Sequence, residues 1–503
     1  MTLELTSVAL MVGAAVAALA GGLRWWRVAQ REHYLSGSAI RFARRWWLSS
    51  VSNGVLLGAV LIGAVGVWWW SPIGWLSLAA LIVGPIGLAT TGTSSPLRWT
   101  TRLRRVAAVT GVFVIGLIVV AIATGQPGWS VAGAAAIPLV VDLALTLVAP
   151  LERALSERWV KRAAAKLASS GARVVAITGS YGKTTTKGYL HHLLSGQVSA
   201  VTTPASFNNR MGLARAINEH LVPGASVFVA EMGTYGKGEI ASLCEFVPPD
   251  VAVITSIGPV HLERFGSEKA IVEAKREILA NAAVAILNID HPLLAEVADQ
   301  EEGRLKVVRV SASNADVEVS VVDRTLRVDG ETIGVVGPDV FGSNLAAAAA
   351  AAIQCGVSVE EIGRRLAGLP VAPHRREQST SERGFVVIDD TYNSNPAGAR
   401  AALDLLCSVP GEGRRVVVTP GMVEMGTRQD AENALFGQAV AERASDLVVV
   451  GRTNRRALVE GAKGGAGTVT VLSSRQEAVE WVRSRLGPGD AVLYENDLPD
   501  HYP

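Results

Sequence analysis

Cysteine is scarce in this chain: three in 503 residues, Cys244, Cys355 and Cys407, far apart from one another. That excludes a disulfide framework and a cysteine-based metal knuckle, and it fits reduced thiols on the cytoplasmic side. Net charge is also nearly absent, at +2 from 47 basic and 45 acidic residues. No basic stripe, internal repeat or low-complexity block stands out, so no nucleic-acid partner is expected. The more telling absence is local. No charged residue occurs between Trp46 and Leu97, only Asp142 between Val106 and Pro150, and only Glu4 between Met1 and Leu23.

Runs of that length and apolarity suit membrane helices, which need about 20 residues each. Five spans are expected, near 3–23, 48–70, 73–91, 106–124 and 129–149, with turns at Ser71-Pro72 and Gln126-Pro127-Gly128. The first lacks the basic start of a cleavable signal. Arginine crowds two of the connections: Arg24, Arg27, Arg31, Arg41, Arg44 and Arg45 in one, Arg98, Arg102, Arg104 and Arg105 in the other. Basic loops stay cytoplasmic. The N-terminus is therefore expected outside the cell membrane, and everything after residue 150 inside. Ten of the 12 tryptophans fall in the first 129 residues, many at span ends, as interfacial belts require. Asp142 has two readings: a functional intramembrane carboxylate, or one that reaches polar groups near the cytoplasmic end of its span.

Beyond residue 150 the pattern changes. Leu151–Ser170 reads as an amphipathic connecting helix. Strands are expected at 173–178, 226–231, 250–256 and 283–288, alternating with helices, and a more β-rich patch covers 306–336. The alanine run Ala346–Ala352 reads as a packed helix. A second alternating unit starts near 372, with strands at 385–390, 414–419, 446–450, 468–472 and 490–494. Alternation of this kind predicts parallel α/β sheets. The expected domains are 1–150 (transmembrane, all-α), 151–171 (connecting helix), 172–371 (central, nucleotide-binding) and 372–503 (Rossmann-like).

The first α/β unit opens with Thr178-Gly179-Ser180-Tyr181-Gly182-Lys183-Thr184-Thr185, between an apolar strand and a helix start. A glycine-rich turn there aims backbone N–H groups at a phosphate, and the helix N-terminus adds its dipole. Lys183 would reach the outer phosphates of ATP and Thr184 would place a hydroxyl on Mg²⁺. The loop is a shortened phosphate loop, with isoleucine at 177 where the longer form has glycine. Glu231 ends the second predicted strand, where α/β sheets bind ligands, and is a candidate Mg²⁺ ligand. His261, just past another strand, is either a ligand or a structural histidine. Lys275 is, on spacing alone, an ordinary helix-surface lysine.

Taken in order, Gly179–Thr185, Glu231-Met232-Gly233, Gly238-Glu239-Ile240, Ile257-Gly258 with His261, Ala274-Lys275 with Glu277-Ile278, Asn344–Ala347, Pro373-His374-Arg375 and Asp389–Pro396 form a specific series. The chain resembles the Mur ligases over about 172–495, ATP-dependent amide-forming enzymes of cell-wall (peptidoglycan) synthesis. Within the family, Asp389–Pro396 and Pro420–Gly426 are most similar to the branch that adds D-alanyl-D-alanine to a UDP-muramoyl-tripeptide, as are Thr203, Asn208-Asn209 and Gly212. The resemblance implies a P-loop central domain and a Rossmann-like C-terminal domain. It implies ATP contacts from Gly179, Ser180, Gly182, Lys183, Thr184 and Thr185, with Asn344 near the adenine, Arg375 on phosphate and Asp390 on the nucleotide. Thr184, Glu231 and His261 would serve Mg²⁺, and Lys275 stands at the position of a lysine that is carbamylated in the family and supports a second metal. Lys183, Lys275 and His261 would be the catalytic set. The partners implied are a carboxylate acceptor and an amino acid or dipeptide.

Three departures bear on the substrates. Membrane spans replace the family's UDP-binding first domain, which favours an acceptor at the membrane, including a lipid-linked one. Val340-Phe341 stand where a His-Asn pair is usual. Leu493–Asp500 is acidic where the family is basic, which points to a different amine, such as one carrying a free cationic group. The expected activity is a membrane-anchored ligase working through an acyl phosphate. A polyamino-acid synthase of the poly-γ-glutamate type and a nucleotide-gated membrane protein are the alternatives.

Overall fold

The computed structural model describes residues 5–91, 96–205, 207–259, 262–337, 340–370, 376–392, 394–498 and 501–502. The described chain divides into two compact units: 1–155 with 451–453 and 498–503, and 156–450 with 454–497.

The first unit is helical: α1 (Leu5–Arg31), α2 (Ser38–Trp47), α3 (Val51–Gly66), α4 (Gly74–Val83), α5 (Thr101–Thr124), α6 (Gly128–Ala135) and the start of α7 (Ile137–Ser170). Two of these, α1 and α5, are long and apolar enough to cross a membrane; counting the bent pairs α2–α3 (115°) and α6–α7 (70°) as single spans makes four. The segment expected to span 73–91 is helical only to Val83. Pro85 explains the stop: it has no N–H and disfavours helix at the residue before it. Carbonyls at the helix end and after it are taken by Arg24, which donates to Leu81 O (3.2 Å), Ile82 O (2.7 Å) and Leu88 O (3.0 Å). The helix expected to begin at 151 is instead the continuation of α7 through Pro150.

Exposed aliphatics recur at helical spacing on three of these helices: Val12, Val16 and Leu19; Val112, Ile115 and Val119; Leu139, Leu143 and Leu147. Such stripes are unusual on a water-facing surface. Asp142 is buried and accepts the backbone N–H of Ala39 (3.1 Å) and Ile40 (2.9 Å), so it caps the N-terminus of α2. This is the polar-partner reading of that carboxylate. The chain's end also packs here: the Trp46 indole N–H donates to His501 O at 2.8 Å.

In the second unit, nine strands form one sheet: β1 (Arg173–Thr178), β2 (Ala200–Thr202), β3 (Val227–Glu231), β4 (Val251–Ile254), β5 (Val284–Asn288), β6 (Lys306–Ser311), β7 (Val319–Val322), β8 (Thr325–Val328) and β9 (Glu331–Val335). Their order is β2-β3-β1-β4-β5-β6-β7-β8-β9, parallel through β7 and antiparallel after it. Both faces are covered, which is why β1, β3 and β4 read as unbroken apolar runs. Val174 and Ala176 pack toward helix Arg210–His220, while Val175 and Ile177 pack toward helices Lys183–Leu194 and Gly342–Gln354. The alanine run is buried in that second layer; its lack of bulk lets the helix lie close to Tyr189, Leu190 and Leu193.

A six-stranded sheet follows: β10 (Glu377–Thr380), β11 (Val386–Asp390), β12 (Arg415–Thr419), β13 (Asp446–Val450), β14 (Thr468–Leu472) and β15 (Ala491–Glu495), in the order β10-β11-β15-β12-β13-β14. All but β10 run parallel. The last strand inserts between β11 and β12, so the strand order changes direction there.

Candidate active site

β1 delivers the chain to Gly179 and helix Lys183–Leu194 takes it up again. The turn between them demands glycine twice. Gly179 has φ +154°, and a Cβ there would lie 2.0 Å from Thr255 Oγ1; Gly182 has φ +79°, and its Cβ would lie 2.2 Å from Asn344 Oδ1. The loop is fastened to the segment after β4: Ser180 N donates to Ser256 O (2.8 Å), Tyr181 N to Ser256 Oγ (3.0 Å), and Thr255 Oγ1 to Tyr181 O (2.5 Å). Lys183 curls over the turn and donates to Gly179 O at 2.7 Å.

Beneath the loop, Glu231 is 1% exposed at the end of β3. Its Oε2 accepts the Thr184 hydroxyl at 3.0 Å and lies 3.1 Å from the Lys187 ammonium, while Oε1 accepts from Asn208 Nδ2 at 3.1 Å. Lys187 also donates to Thr203 O (2.9 Å) and Ala205 O (2.6 Å). Thr184 and Glu231 thus present two oxygens side by side under a phosphate-type loop. A hard cation that keeps its waters and takes one or two carboxylates fits that donor set. Among the described residues no group of three His, Cys, Asp or Glu is close enough to hold a metal by itself.

Lys275 corrects the sequence reading. It is 3% exposed, on helix Glu268–Arg276, rather than a solvated surface lysine. Burial, with a smaller push from Lys183, holds its amine well below the usual lysine range. The neighbouring Glu277 is engaged elsewhere, accepting from Gly238 N (2.7 Å) and Ala241 N (3.0 Å).

Asn344, 8% exposed, is set against Gly182 at the start of helix Gly342–Gln354. Thr185 is buried on the loop's helix. Asp390 lies on the six-stranded sheet, at the end of β11, where its Oδ1 accepts from Arg376 N at 3.2 Å. The Arg376 guanidinium sits 3.6 Å above the Phe341 ring, so Phe341 joins the two sheets' domains. Arg428 adds a second link, 2.8 Å from Glu268. His261 and Arg375 lie outside the described residues.

The structure therefore gathers Gly179, Ser180, Gly182, Lys183, Thr184, Glu231 and Asn344 around one loop. Sequence reasoning missed Lys187 as a partner of Glu231. Its signal was its place one helical turn after Lys183.

Residues 177–352 match the Mur ligase middle domain and residues 374–494 match the Mur ligase glutamate ligase domain. The UDP-N-acetylmuramoyl-tripeptide–D-alanyl-D-alanine ligase of Mycobacterium tuberculosis is 35% identical over 371 residues, covering 66% of this chain and 71% of that protein. The Bacillus subtilis ligase of the same name is 30% identical over 348 residues, covering 66% and 75%. Among solved structures, MurF from Acinetobacter baumannii superposes with a TM-score of 0.58 at 26% identity, covering 67% of this chain and 77% of that one. MurF from Thermotoga maritima in complex with ADP gives 0.57 at 24% identity, covering 68% and 80%. The helical region up to Ser170 lies outside the matched domains. The chain belongs to the Mur ligase family, ATP-dependent enzymes that form amide bonds.

Proposed function

We propose that this protein is a membrane-anchored, MurF-like ligase that joins a carboxylate acceptor, including a lipid-linked one, to an amino acid or dipeptide on the cytoplasmic face. The observation that carries the reading is the Thr184–Glu231–Lys187 arrangement, with Glu231 and Lys187 buried, under Lys183 and the phosphate loop. Family membership supports the use of ATP with Mg²⁺. Anchoring is supported by α1 and α5 and by the exposed apolar stripes.

The reaction has two bond exchanges. An oxygen of the acceptor carboxylate attacks the γ-phosphorus of ATP, the bond to ADP breaks, and an acyl phosphate forms. The amine nitrogen then attacks the acyl carbon, a proton leaves, and phosphate departs with the C–O bond. Lys183 and the loop amides hold the transferring phosphoryl group and balance the charge that builds on it. Thr184 and Glu231, with His261, would hold Mg²⁺, which when bound neutralises phosphoryl oxygens. Lys275, whose amine burial holds well below the usual lysine range, would in its neutral form add CO₂ and lose a proton, giving a carbamate anion able to face a second cation. Gly179, Ser180, Gly182 and Thr185 shape the phosphate cradle; Asn344, Arg375 and Asp390 serve the rest of the nucleotide.

The test uses the full chain in detergent or nanodiscs with Mg-ATP, offering UDP-linked and lipid-linked muramoyl peptides against a panel of amines. Phosphate release that needs both acceptor and amine, with a product of summed mass less water, supports a ligase. Release that ignores both would point to a nucleotide-driven membrane protein. A ladder of products would favour the polyamino-acid synthase.

A further inference from the structure

The carboxyl of Glu495 is 0% exposed, at the last position of β15. That strand lies between β11 and β12, and parallel sheets gather ligand-binding loops at strand C-termini where the order reverses. Glu495 touches a loop on each side. Its Oε1 accepts the hydroxyl of Ser394, in the loop that follows β11 and Asp390. Its Oε2 accepts the hydroxyl of Thr419 at 2.5 Å, at the end of β12. Thr419 Oγ1 in turn accepts from Gly421 N at 2.9 Å, opening the Pro420–Gly426 segment.

Neighbouring bonds run the same way. Asn496 N donates to Asp390 O (3.1 Å) and Asn496 Nδ2 to Gly421 O (2.6 Å), with Asn496 held at φ +63°. A residue other than glycine in that region is strained unless its surroundings fix it. The strand end is thus a staple between two loops that are far apart in sequence.

We propose that Glu495 is a positioning residue: its carboxyl ties Ser394, after β11, to Thr419, at the end of β12, and so fixes the contribution of the six-stranded sheet's domain to the nucleotide site. This rests on the ligase reading above. Burial, aided by Asp390 and opposed by the Thr419 hydroxyl, pushes the carboxyl up to about 8, so it keeps its proton at neutral pH, and one of its two oxygens then donates to its hydroxyl partner instead of accepting from it. An amide is close in shape and charge to that form. A methyl group, by contrast, leaves both hydroxyls and a cavity behind.

The experiment compares the full-length E495Q, E495A and T419V variants in detergent. Two readouts are used: steady-state kinetics with varied ATP, and hydrogen exchange of the two loops without nucleotide. E495Q should stay within about threefold of wild type, and E495A should raise KM for ATP roughly tenfold or more. In E495A both loops should exchange faster; in T419V only 419–424 should. Should E495A not fold, the T419V exchange pattern decides. An unchanged KM for ATP in E495A, or E495Q as impaired as E495A, would overturn the proposal. If wild type turns over no ATP, the ligase reading fails, while the exchange data still judge the staple.

Discussion

The ammonium of Lys187 lies 3.1 Å from the carboxylate of Glu231, and both side chains are almost completely shielded, at 8% and 2% exposure. Helix Lys183–Leu194 thus supplies two lysines one turn apart, one to the loop and one to the carboxylate beneath it. Removing Lys187 would leave a charge buried without its partner, which costs about 3–5 kcal/mol. Lys187→Met should lower stability by that order in chemical denaturation. Added Mg²⁺ should recover more stability in the variant than in wild type, because a cation can then take the ammonium's place. Equal Mg²⁺ effects in both proteins would remove Glu231 from the metal site.

Lys183→Ala deletes the mobile cation of the phosphate loop. Turnover should fall roughly 100-fold or more, with the circular dichroism spectrum unchanged. Retained activity would mean that nucleotide is handled elsewhere.

Lys275→Ala should be inactive, and acetate or formate should restore part of the activity by filling the carbamate's place. The pH sign follows from the depressed amine. The unfolded chain binds a proton that the folded one does not, so this group's contribution is complete above about 10.5 and is lost as pH falls toward its folded value. Lys275→Met should flatten that part of the stability curve. Near-wild-type activity of Lys275→Ala, with no response to acetate, would count against the metal-supporting role.

Glu495 has the opposite sign. Its carboxyl is raised to about 8, so the folded chain holds a proton that the unfolded chain releases near 4.5. Its contribution is complete below about 4.5 and fades as pH rises through 8. Melting temperatures of E495Q should depend less on pH than those of wild type across this window. Parallel curves would show that the carboxyl titrates in its ordinary range.

Ten arginines stand in two connections and none in the turns near 71–72 and 125–128. On the five-span scheme, in which the short α4 and the stretch after it make the third crossing, reporter fusions after residues 35, 72, 95, 127 and 160 should read inside, outside, inside, outside, inside; four crossings, the number that α1, α5 and the two bent pairs give, would break this alternation. An outside signal at 160 would leave the nucleotide loop on the wrong side of the membrane and end the anchoring scheme.

Much of this molecule was legible in its sequence. The apolar runs of β1, β3, β4 and β5 announced a sheet covered on both faces, because period-free hydrophobicity has no solvent side to mark. The glycines at 179 and 182 announced the loop, since only glycine escapes clashes with Thr255 and Asn344 there. Other features needed three dimensions. Lys275 looks like a surface residue because burial of a helix face depends on what packs against it, not on local spacing. Lys187, Asn208 and Glu231 are brought together by β3 lying beside β1, a long-range pairing. The short strands β2 and β10 carry too few residues to show a period. Glu495 reads as one acid in an acidic tail until β15 inserts between β11 and β12. Sequence alone determined the layers and the phosphate loop, through local chemistry; tertiary structure decided which charges are buried and whom they meet, because desolvation and strand order are properties of the whole packed chain.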